Sequence, residues 1–351
     1  MTKADYGTTQ KKRLGSRMKR SHAVLVTGGA GYVGAHVVLA LREAGWHVIV
    51  LDNLSTGRLL PLHRDCSVVI GDVADRALVA ATLARYDVTA VVHLAASIVA
   101  PASIRNPLAY YRNNVAGSIS LLEACVEHGI SAFVLSSTAA VYGVPVVSPV
   151  AEDAPAEPIN PYGWSKLMSE RVLRDAAAAH DLPFLILRYF NVAGADPHGR
   201  AGPSQAGPAH LLKVAIEAAL GRRADVPIYG NDYPTTDGTC VRDFIHVSDL
   251  AAAHVAGLDY LLGGGPSTVL NCGYGRGYSV REVLATVERV AGRRIATRLA
   301  PRRPGDPPEV VADAERIRIL LGWQPRFDDL ENIVAHSLAW LRRSEPVLAT
   351  S

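Results

Sequence analysis

From Ala23 the chain runs Ala-Val-Leu-Val-Thr straight into Gly-Gly-Ala-Gly-Tyr-Val-Gly, and no other stretch restricts the fold as much. A short continuous apolar run stopped by glycine reads as a strand buried on both faces. The spacing of Gly28, Gly31 and Gly34 suits a tight strand-to-helix turn. Such a turn uses positive φ, brings backbone close to a pyrophosphate and lets the helix lie on the sheet, and each of these needs a missing Cβ. The helix start then offers free N–H groups and a partial positive charge to phosphate oxygens. The next apolar run, His47–Asp52, ends on a carboxylate eighteen residues after Gly34. An acid there accepts hydrogen bonds from a ribose diol and repels a 2′-phosphate, which favours NAD over NADP. After a third run comes Gly71-Asp72-Val73, placed to edge an adenine.

The pattern repeats. Ser67–Ile70, Ala90–Leu94, Ala132–Ser136 and Phe184–Arg188 read as further buried strands, and Val33–Ala44, Asp75–Tyr86, Leu108–His128 and Tyr162–His180 as helices. Strands alternating with helices predict an α/β fold, a Rossmann-type doubly wound parallel sheet with right-handed crossovers. After Asn191 glycine and proline become dense and the elements shorten, so a smaller mixed α/β C-terminal substrate domain is expected. The expected divisions are a disordered basic extension over 1–20, a Rossmann domain over 21–190 and a second domain over 191–345, with the segment around 240–262 returning to the first. A chain of 351 residues suits two such units.

The formal net charge of +3 hides an asymmetry. Residues 1–20 carry seven Lys/Arg against one acid, whereas the rest of the chain holds 29 basic against 32 acidic side chains. The folded body is therefore mildly acidic, and no nucleic-acid partner is expected. The basic run reads as a disordered extension rather than a nucleic-acid arm, and it lacks the apolar segment of a secretory signal. Every apolar stretch of membrane-spanning length is interrupted by a charge or a turn former, so no membrane partner is expected either. The four cysteines form no C-x-x-C pair and read as reduced thiols of a cytoplasmic protein. The twelve histidines show no H-x-x-x-H spacing, and no metal is expected.

Chemistry enters at two hydroxyl-bearing segments. The run Ala132–Ser136 continues into Ser-Thr-Ala-Ala-Val-Tyr-Gly, and Tyr162-Gly-Trp-Ser-Lys166 opens a long helix. Tyr162 and Lys166 are four apart, hence on one face and one turn apart. Removing a proton from a sugar hydroxyl needs a base near neutral pH, while free tyrosine titrates near ~10. A neighbouring ammonium and a nicotinamide cation both favour phenolate, and a lowering of about 3 units corresponds to about 4 kcal/mol. Of the 29 basic residues after position 20, 27 are arginine, and Lys166 and Lys213 are the exceptions. A chain that otherwise writes Arg keeps Lys where a compact ammonium suits ribose contact and tyrosine tuning.

Together these segments resemble the extended short-chain dehydrogenases/reductases and, more closely, the UDP-glucose (UDP-galactose) 4-epimerase family. The resemblance covers roughly residues 22–340 and rests on T-G-G-A-G-Y-V-G, Y-Y-R-N-N-V at 110–115, S-S-T-A-A-V-Y-G at 136–143 and Y-G-W-S-K at 162–166. It continues through R-Y-F-N-V-A-G-A at 188–195, P-R-R-P-G-D at 301–306 and, most specifically, G-N-D-Y-P-T-T-D-G-T-C-V-R-D-F-I-H-V-S-D-L-A at 230–251. The resemblance implies tightly held NAD, Tyr162 as base, Lys166 as its tuner and ribose ligand, and Thr138 bridging the substrate oxygen. It places cofactor contacts at Gly28, Gly31, Tyr32, Val33, Gly34, Asp52 and Asn53, then at Asp72, Val73, Leu94, Ala95 and Ala96, and finally at Asn113, Ser136, Tyr162, Lys166 and Tyr189. It places UDP-sugar contacts at Thr138, Tyr162, Asn191, His210 and Leu211, with Arg242 and Arg303 clamping phosphates and Asp306 on the uridine ribose. Tyr229 lines the uracil pocket or serves as an ordinary core aromatic. A homodimer through four-helix packing of Leu108–His128 and Tyr162–His180 is also implied.

Related 4,6-dehydratases carry an Asp-Glu pair after the serine or threonine, and decarboxylases a Glu; here stand Ala139 and Ala140, whose methyl groups move no proton. What remains is oxidation and re-reduction of one sugar carbon, an isomerase reaction. The chain departs from the family pattern in having Thr138 for serine, Ile98 and Pro101-Ala102-Ser103 where a lysine and Gly-Glu-Ser are familiar, and His210 for asparagine. Val310 falls near a bulky tyrosine of some members, and a smaller side chain there would admit UDP-N-acetyl sugars. The alternatives are therefore a 4-epimerase of another UDP-sugar (N-acetylhexosamine, pentose or uronate) and a catalytically silent NAD-binding regulator, which would need neither Tyr162 nor Lys166.

Overall fold

The structure, a computed structural model, describes residues 23–204, 210–303 and 305–343. The basic extension expected over 1–20 lies outside the described residues. In chain order the first half contains β1 (Ala23–Thr27), α1 (Tyr32–Glu43), β2 (His47–Asp52), β3 (Ser67–Ile70), α2 (Arg76–Tyr86) and β4 (Val88–His93). Then come α3 (Ala100–Arg105), α4 (Pro107–Tyr110), α5 (Gly117–His128), β5 (Ala132–Thr138), α6 (Pro161–His180) and β6 (Phe184–Tyr189). The second half holds β7 (Asn191–Ala193), α7 (Leu211–Ala219), β8 (Val226–Tyr229), β9 (Val241–His246), α8 (Val247–Leu262) and β10 (Thr268–Cys272). It ends with β11 (Gly277–Ser279), α9 (Val280–Ala291), β12 (Thr297–Ala300), β13 (Glu309–Val310), α10 (Glu315–Leu321) and α11 (Leu330–Arg343).

The central sheet has seven parallel strands in the order β10-β6-β5-β4-β1-β2-β3. Its continuous apolar runs are explained by the period of two along a strand. Val24 and Val26 of β1 join Val48 and Val50 of β2 in one core, while Ala23 and Leu25 join Ile49 and Leu51 in the other. The sheet thus needs an apolar side chain at every position, because helices cover both faces. The strand order reverses between β1 and β4, which opens the crevice where such sheets take ligands.

Beyond Asn191, β9 pairs in parallel with β7 and β13 and antiparallel with β11, while β8 pairs with β12. Two later elements lie with the first sheet: α8 packs on α1, β5 and β6, and β10 pairs with β6.

One sequence expectation is corrected. A single helix over Leu108–His128 does not form; α4 passes into a π-helical turn, Tyr111–Ala116, before α5 begins. A π turn carries an extra residue and leaves backbone groups without their usual partners, and such turns gather at functional sites. Here the Asn114 carbonyl accepts from the hydroxyls of Ser118 at 2.5 Å and Ser169 at 2.9 Å. The first bond is local to α5, while the second comes from α6 and is a long-range effect that periodicity does not register.

Buried histidines join these elements. His93 links Thr27 (2.7 Å) to Ser118 (3.0 Å), and His254 takes the Ser136 hydroxyl at 2.8 Å while holding Leu250 O at 2.9 Å. His246 accepts from Ser248 N at 3.0 Å, so its Nε2–H donates to His336 Nδ1 at 3.0 Å. Burial lowers His36 and His254 to about 4 and His93 and His246 to about 3, from an ordinary 6.5. At these four histidines the folded chain therefore binds fewer protons than the unfolded one below pH 6.5. Their contribution to stability is complete above the unfolded value and is lost as pH falls toward the folded values, at up to about 1.4 kcal/mol per pH unit per histidine. Urea midpoints are expected to fall clearly between pH 7 and pH 5, and coincident midpoints at ~7 and ~5 would contradict this linkage.

Candidate active site

The glycine turn is built where Cβ atoms cannot go. Gly28 has φ +72°, and a Cβ on it would lie 2.6 Å from Ala95 N, across the β1/β4 crevice. A Cβ on Gly34 would lie 2.1 Å from Gly28 O, so α1 can sit on the turn only with glycine there. Gly31 caps α1 without any side-chain hydrogen bond, which leaves the first N–H groups of the helix, from Tyr32, Val33 and Gly34 onward, open to an anion. Asp52, ending β2, accepts from Ala30 N at 3.0 Å and Leu54 N at 2.8 Å, and a carboxylate with about four acceptor positions retains capacity for a diol. Asn53 donates to Asp72 at 2.8 Å beside buried Val73, fixing the edge proposed for adenine. An uncapped helix start, a turn closed to side chains and an acid at the next strand end fit a dinucleotide.

Across the crevice Leu94 N donates to Thr27 O at 3.0 Å, and Leu94, Ala95 and Ala96 are half-buried. Below them lies a network that sequence reasoning missed. Asn114, turned by the π segment, accepts from Ser97 N at 2.7 Å and donates to Ser97 O and to Ser165 Oγ, both at 2.9 Å; Asn113 donates to Ser97 Oγ at 3.1 Å. The Asn-Asn pair was a visible signal, but the second asparagine is the buried one.

The catalytic candidates converge from β5 and α6. Thr138 is the last residue of β5, and its hydroxyl accepts from Ala140 N at 3.1 Å and hydrogen-bonds the Tyr162 phenol. Asn160 caps α6 by accepting from Gly163 N at 2.9 Å, while Tyr162 N donates to Ser103 Oγ at 3.1 Å. A Cβ on Gly163 would lie 2.7 Å from Ala140 O, so glycine is what lets α6 bring Tyr162 against the turn after β5. Ser103 also went unrecognised; it lies in the Pro101-Ala102-Ser103 departure, and no local pattern reveals its partner. Lys166 is buried, which lowers its ammonium to about 8 against the opposing pull of Glu170.

The lowering expected of Tyr162 invoked a nicotinamide cation as well as Lys166, and the chain alone does not produce it. Burial raises the phenol to about 12, and the Thr138 hydrogen bond offsets only part of this. The phenolate thus depends on charge that arrives with a ligand. Ser136, expected near the cofactor, spends its hydroxyl on His254, and Tyr189 hydrogen-bonds Ser136 while lying beside Thr138 in register.

On the far side, β9 and β13 place Val310 beside Arg242, whose guanidinium donates to Asp306 at 2.9 Å. Arg303 stacks over the Tyr229 ring at 3.9 Å. Asn191 begins β7 immediately after β6, while His210 and Leu211 open α7. The structure therefore groups Arg242 with Asp306 and Val310, its guanidinium also donating to Val241 O at 2.8 Å, and Arg303 with Tyr229.

Residues 24–273 match the NAD dependent epimerase/dehydratase family. The chain is 55% identical over 325 residues to the UDP-glucose 4-epimerase of Azospirillum brasilense, covering 93% of both chains. Among solved structures it is similar to UDP-glucose 4-epimerase from Brucella ovis in complex with NAD (TM-score 0.88, 42% identity, 91% of this chain and 98% of that one). It is also similar to the UDP-Glc/GlcNAc 4-epimerase of Campylobacter jejuni (TM-score 0.81, 45% identity, 92% and 100%). With a glycine cradle, a Thr138–Tyr162–Lys166 cluster and these relatives in agreement, the chain belongs to the NAD dependent epimerase/dehydratase family.

Proposed function

We propose that this chain is a UDP-glucose 4-epimerase that interconverts UDP-glucose and UDP-galactose by inverting carbon 4. The observation that carries the reading is the hydroxyl pair of Thr138 and Tyr162 with Lys166 one turn along α6, bordered by Ala139 and Ala140. That set can move one proton on and off one oxygen, and the methyl groups of Ala139 and Ala140 beside it move none for an elimination. Bound NAD supplies the two-electron acceptor and donor that a cycle without net redox change requires.

The residues divide the work. Tyr162 takes the proton of the 4-hydroxyl and returns it after inversion. Thr138 shares that proton's path by hydrogen-bonding the phenol and the substrate oxygen. Lys166 holds a positive charge one helical turn away, which favours phenolate and gives a donor to a ribose hydroxyl. Arg242 and Arg303 hold the diphosphate, Asn191 contacts it, and Asp306 takes the uridine ribose once its pairing with Arg242 is exchanged for ligand contacts. Firm nucleotide contacts and small side chains near the sugar let the 4-keto sugar present its second face. Incubating the purified protein with UDP-galactose should yield an equilibrium mixture with UDP-glucose on chromatography; stoichiometric release of NADH with an oxidised sugar would reject the reading.

A second substrate class has a specific observation behind it. Val310 is buried beside Arg242, and its short side chain favours room for a 2-acetamido group. UDP-N-acetylgalactosamine belongs in the same assay, and its failure to react would remove this extension. We also take the chain to be a homodimer. Tyr111, Val115, Ile119 and Met168 line a shallow apolar depression between the π turn and α6, with Leu108 and Trp164 exposed nearby. A sedimentation mass near that of a single 37.4 kDa chain would exclude the dimer. Cys66, Cys125, Cys240 and Cys272 are free thiols, which supports a reducing, cytoplasmic setting, and among the described residues no helix is long and apolar enough to cross a membrane.

A further inference from the structure

Behind the glycine turn lies a buried imidazole that the chemistry above does not use. A short 3-10 helix, Pro61–Asp65, follows β2 and carries His63, which is 3% exposed. Its Nε2 is 3.0 Å from Gly29 O and its Nδ1 is 2.8 Å from Leu60 N. Leu60 O also lies 3.2 Å from Nδ1, but the shorter contact there is the Leu60 N–H, which needs an acceptor; Nδ1 therefore accepts, and Nε2 carries the proton that meets Gly29 O.

The bond matters because of which peptide it holds. Gly29 C=O and Ala30 N–H belong to one planar unit. His63 donates to the first at 3.0 Å and Asp52 accepts from the second at 3.0 Å, so the plane is gripped at both ends. The next plane is gripped as well: Ala30 O accepts from Arg58 N at 3.0 Å, and Gly31 N donates to Gly28 O at 3.0 Å. The segment supplying these grips is itself anchored to α1, where Arg42 donates to Leu62 O at 3.0 Å and to Asp65 at 2.8 Å. A Cβ on Gly57 would lie 3.0 Å from Ala30, so this strap runs in contact with the turn. Two rigid planes in succession fix the direction in which the open N–H groups of Tyr32 and Val33 point.

From this geometry we infer that His63 is a positioning residue for the dinucleotide diphosphate, holding the Gly29–Ala30 peptide so that the amides opening α1 converge on it. The inference rests on the NAD-binding reading above and adds to it a residue outside the family motifs. Free Gly29 O from its donor and that plane can rotate, which misaims the amides without removing any ligand contact.

The test uses the purified full chain and the rate at which bound NAD exchanges for fluorescent etheno-NAD, together with urea unfolding midpoints. His63→Gln keeps an amide that reaches about as far as Nε2 and can donate to Gly29 O. His63→Asn keeps a group near Nδ1 but not the donor to Gly29. Loss of one such hydrogen bond predicts exchange about tenfold faster in His63→Asn and His63→Ala, with His63→Gln within about twofold of the parent. The urea midpoint of His63→Asn should match that of His63→Gln. Exchange in His63→Asn as slow as in the parent, or in His63→Gln as fast as in His63→Ala, overturns the inference. Faster exchange that follows the unfolding midpoints alone also overturns it, by assigning His63 a purely structural role. A parent protein that holds neither NAD nor etheno-NAD overturns the cofactor reading as well, so the two failures are distinguishable.

Discussion

Tyr162→Phe is expected to lower kcat for UDP-galactose conversion by about a hundred- to ten-thousand-fold, the range attached to a positioned proton-transfer group. The substitution keeps the ring that packs at the start of α6 and removes only the hydroxyl that meets Thr138. Folding and NAD content should therefore be unchanged, and KM should move far less than kcat, because the lost interaction acts on the reacting oxygen. The physical difficulty that Tyr162 must overcome is visible in the protein. Burial places its phenol at about 12, where it is protonated at neutral pH, and Lys166 at about 8 is still mostly charged there. For Tyr162 to act as the proposed base, ligand charge has to draw the phenol down into the working range. A Phe variant within tenfold of the parent would assign the proton to another group and sink the mechanism; chromatographic rates under substrate saturation decide it.

The second large effect concerns stability. Glu170→Ala should destabilise the fold by about 3–5 kcal/mol, the cost of stranding a buried charge. Glu170 is fully buried and accepts from Arg188 through Nε at 3.0 Å and Nη2 at 2.7 Å, from Ser137 at 2.5 Å and from Arg174 at 3.1 Å. Arg188 also donates to Tyr142 OH at 3.0 Å, and that hydroxyl donates in turn to Asn271 at 2.7 Å. Removing the carboxylate leaves the guanidinium in the core with a hydroxyl and a carbonyl for company. The double variant Glu170→Ala/Arg188→Met removes both charges and should lose less than the sum of its singles, because a buried pair contributes little beyond what its desolvation costs. Urea denaturation of the four proteins in the cycle measures this, and a Glu170→Ala loss below about 1 kcal/mol would show that water reaches the site. Glu170 lies one turn beyond Lys166 and favours its charged form, so the same variant should also reduce activity at neutral pH.

What could be read along the chain was what depends on near neighbours. The cradle needs strand, glycine turn and helix in immediate succession, so Gly28 to Gly34 announced it. Tyr162 and Lys166 share a helix face by their spacing, and the acid closing β2 is a short distance downstream. The apolar runs displayed a sheet covered on both sides, because every position of β1 is buried. What could not be read depended on partners far away in sequence. Ser103 meets Tyr162 across 59 residues, Asn114 meets Ser165 across 51, and the Asn114 carbonyl in the π turn takes one of its two hydroxyl donors from α6. His63 carries no motif at all; its role arises when the segment after β2 folds back over Gly29.

The sequence by itself determined the parallel α/β architecture, the dinucleotide turn and the placing of Tyr162 and Lys166 on one face of a helix, since local spacing and side-chain chemistry suffice for these. Tertiary structure alone decided how those groups are tuned: the height of the Tyr162 phenol, the charge on Lys166, the break in the helix before α5 and the grip on the Gly29–Ala30 peptide. Burial and long-range hydrogen bonds set such properties, and both exist only once distant segments have packed together.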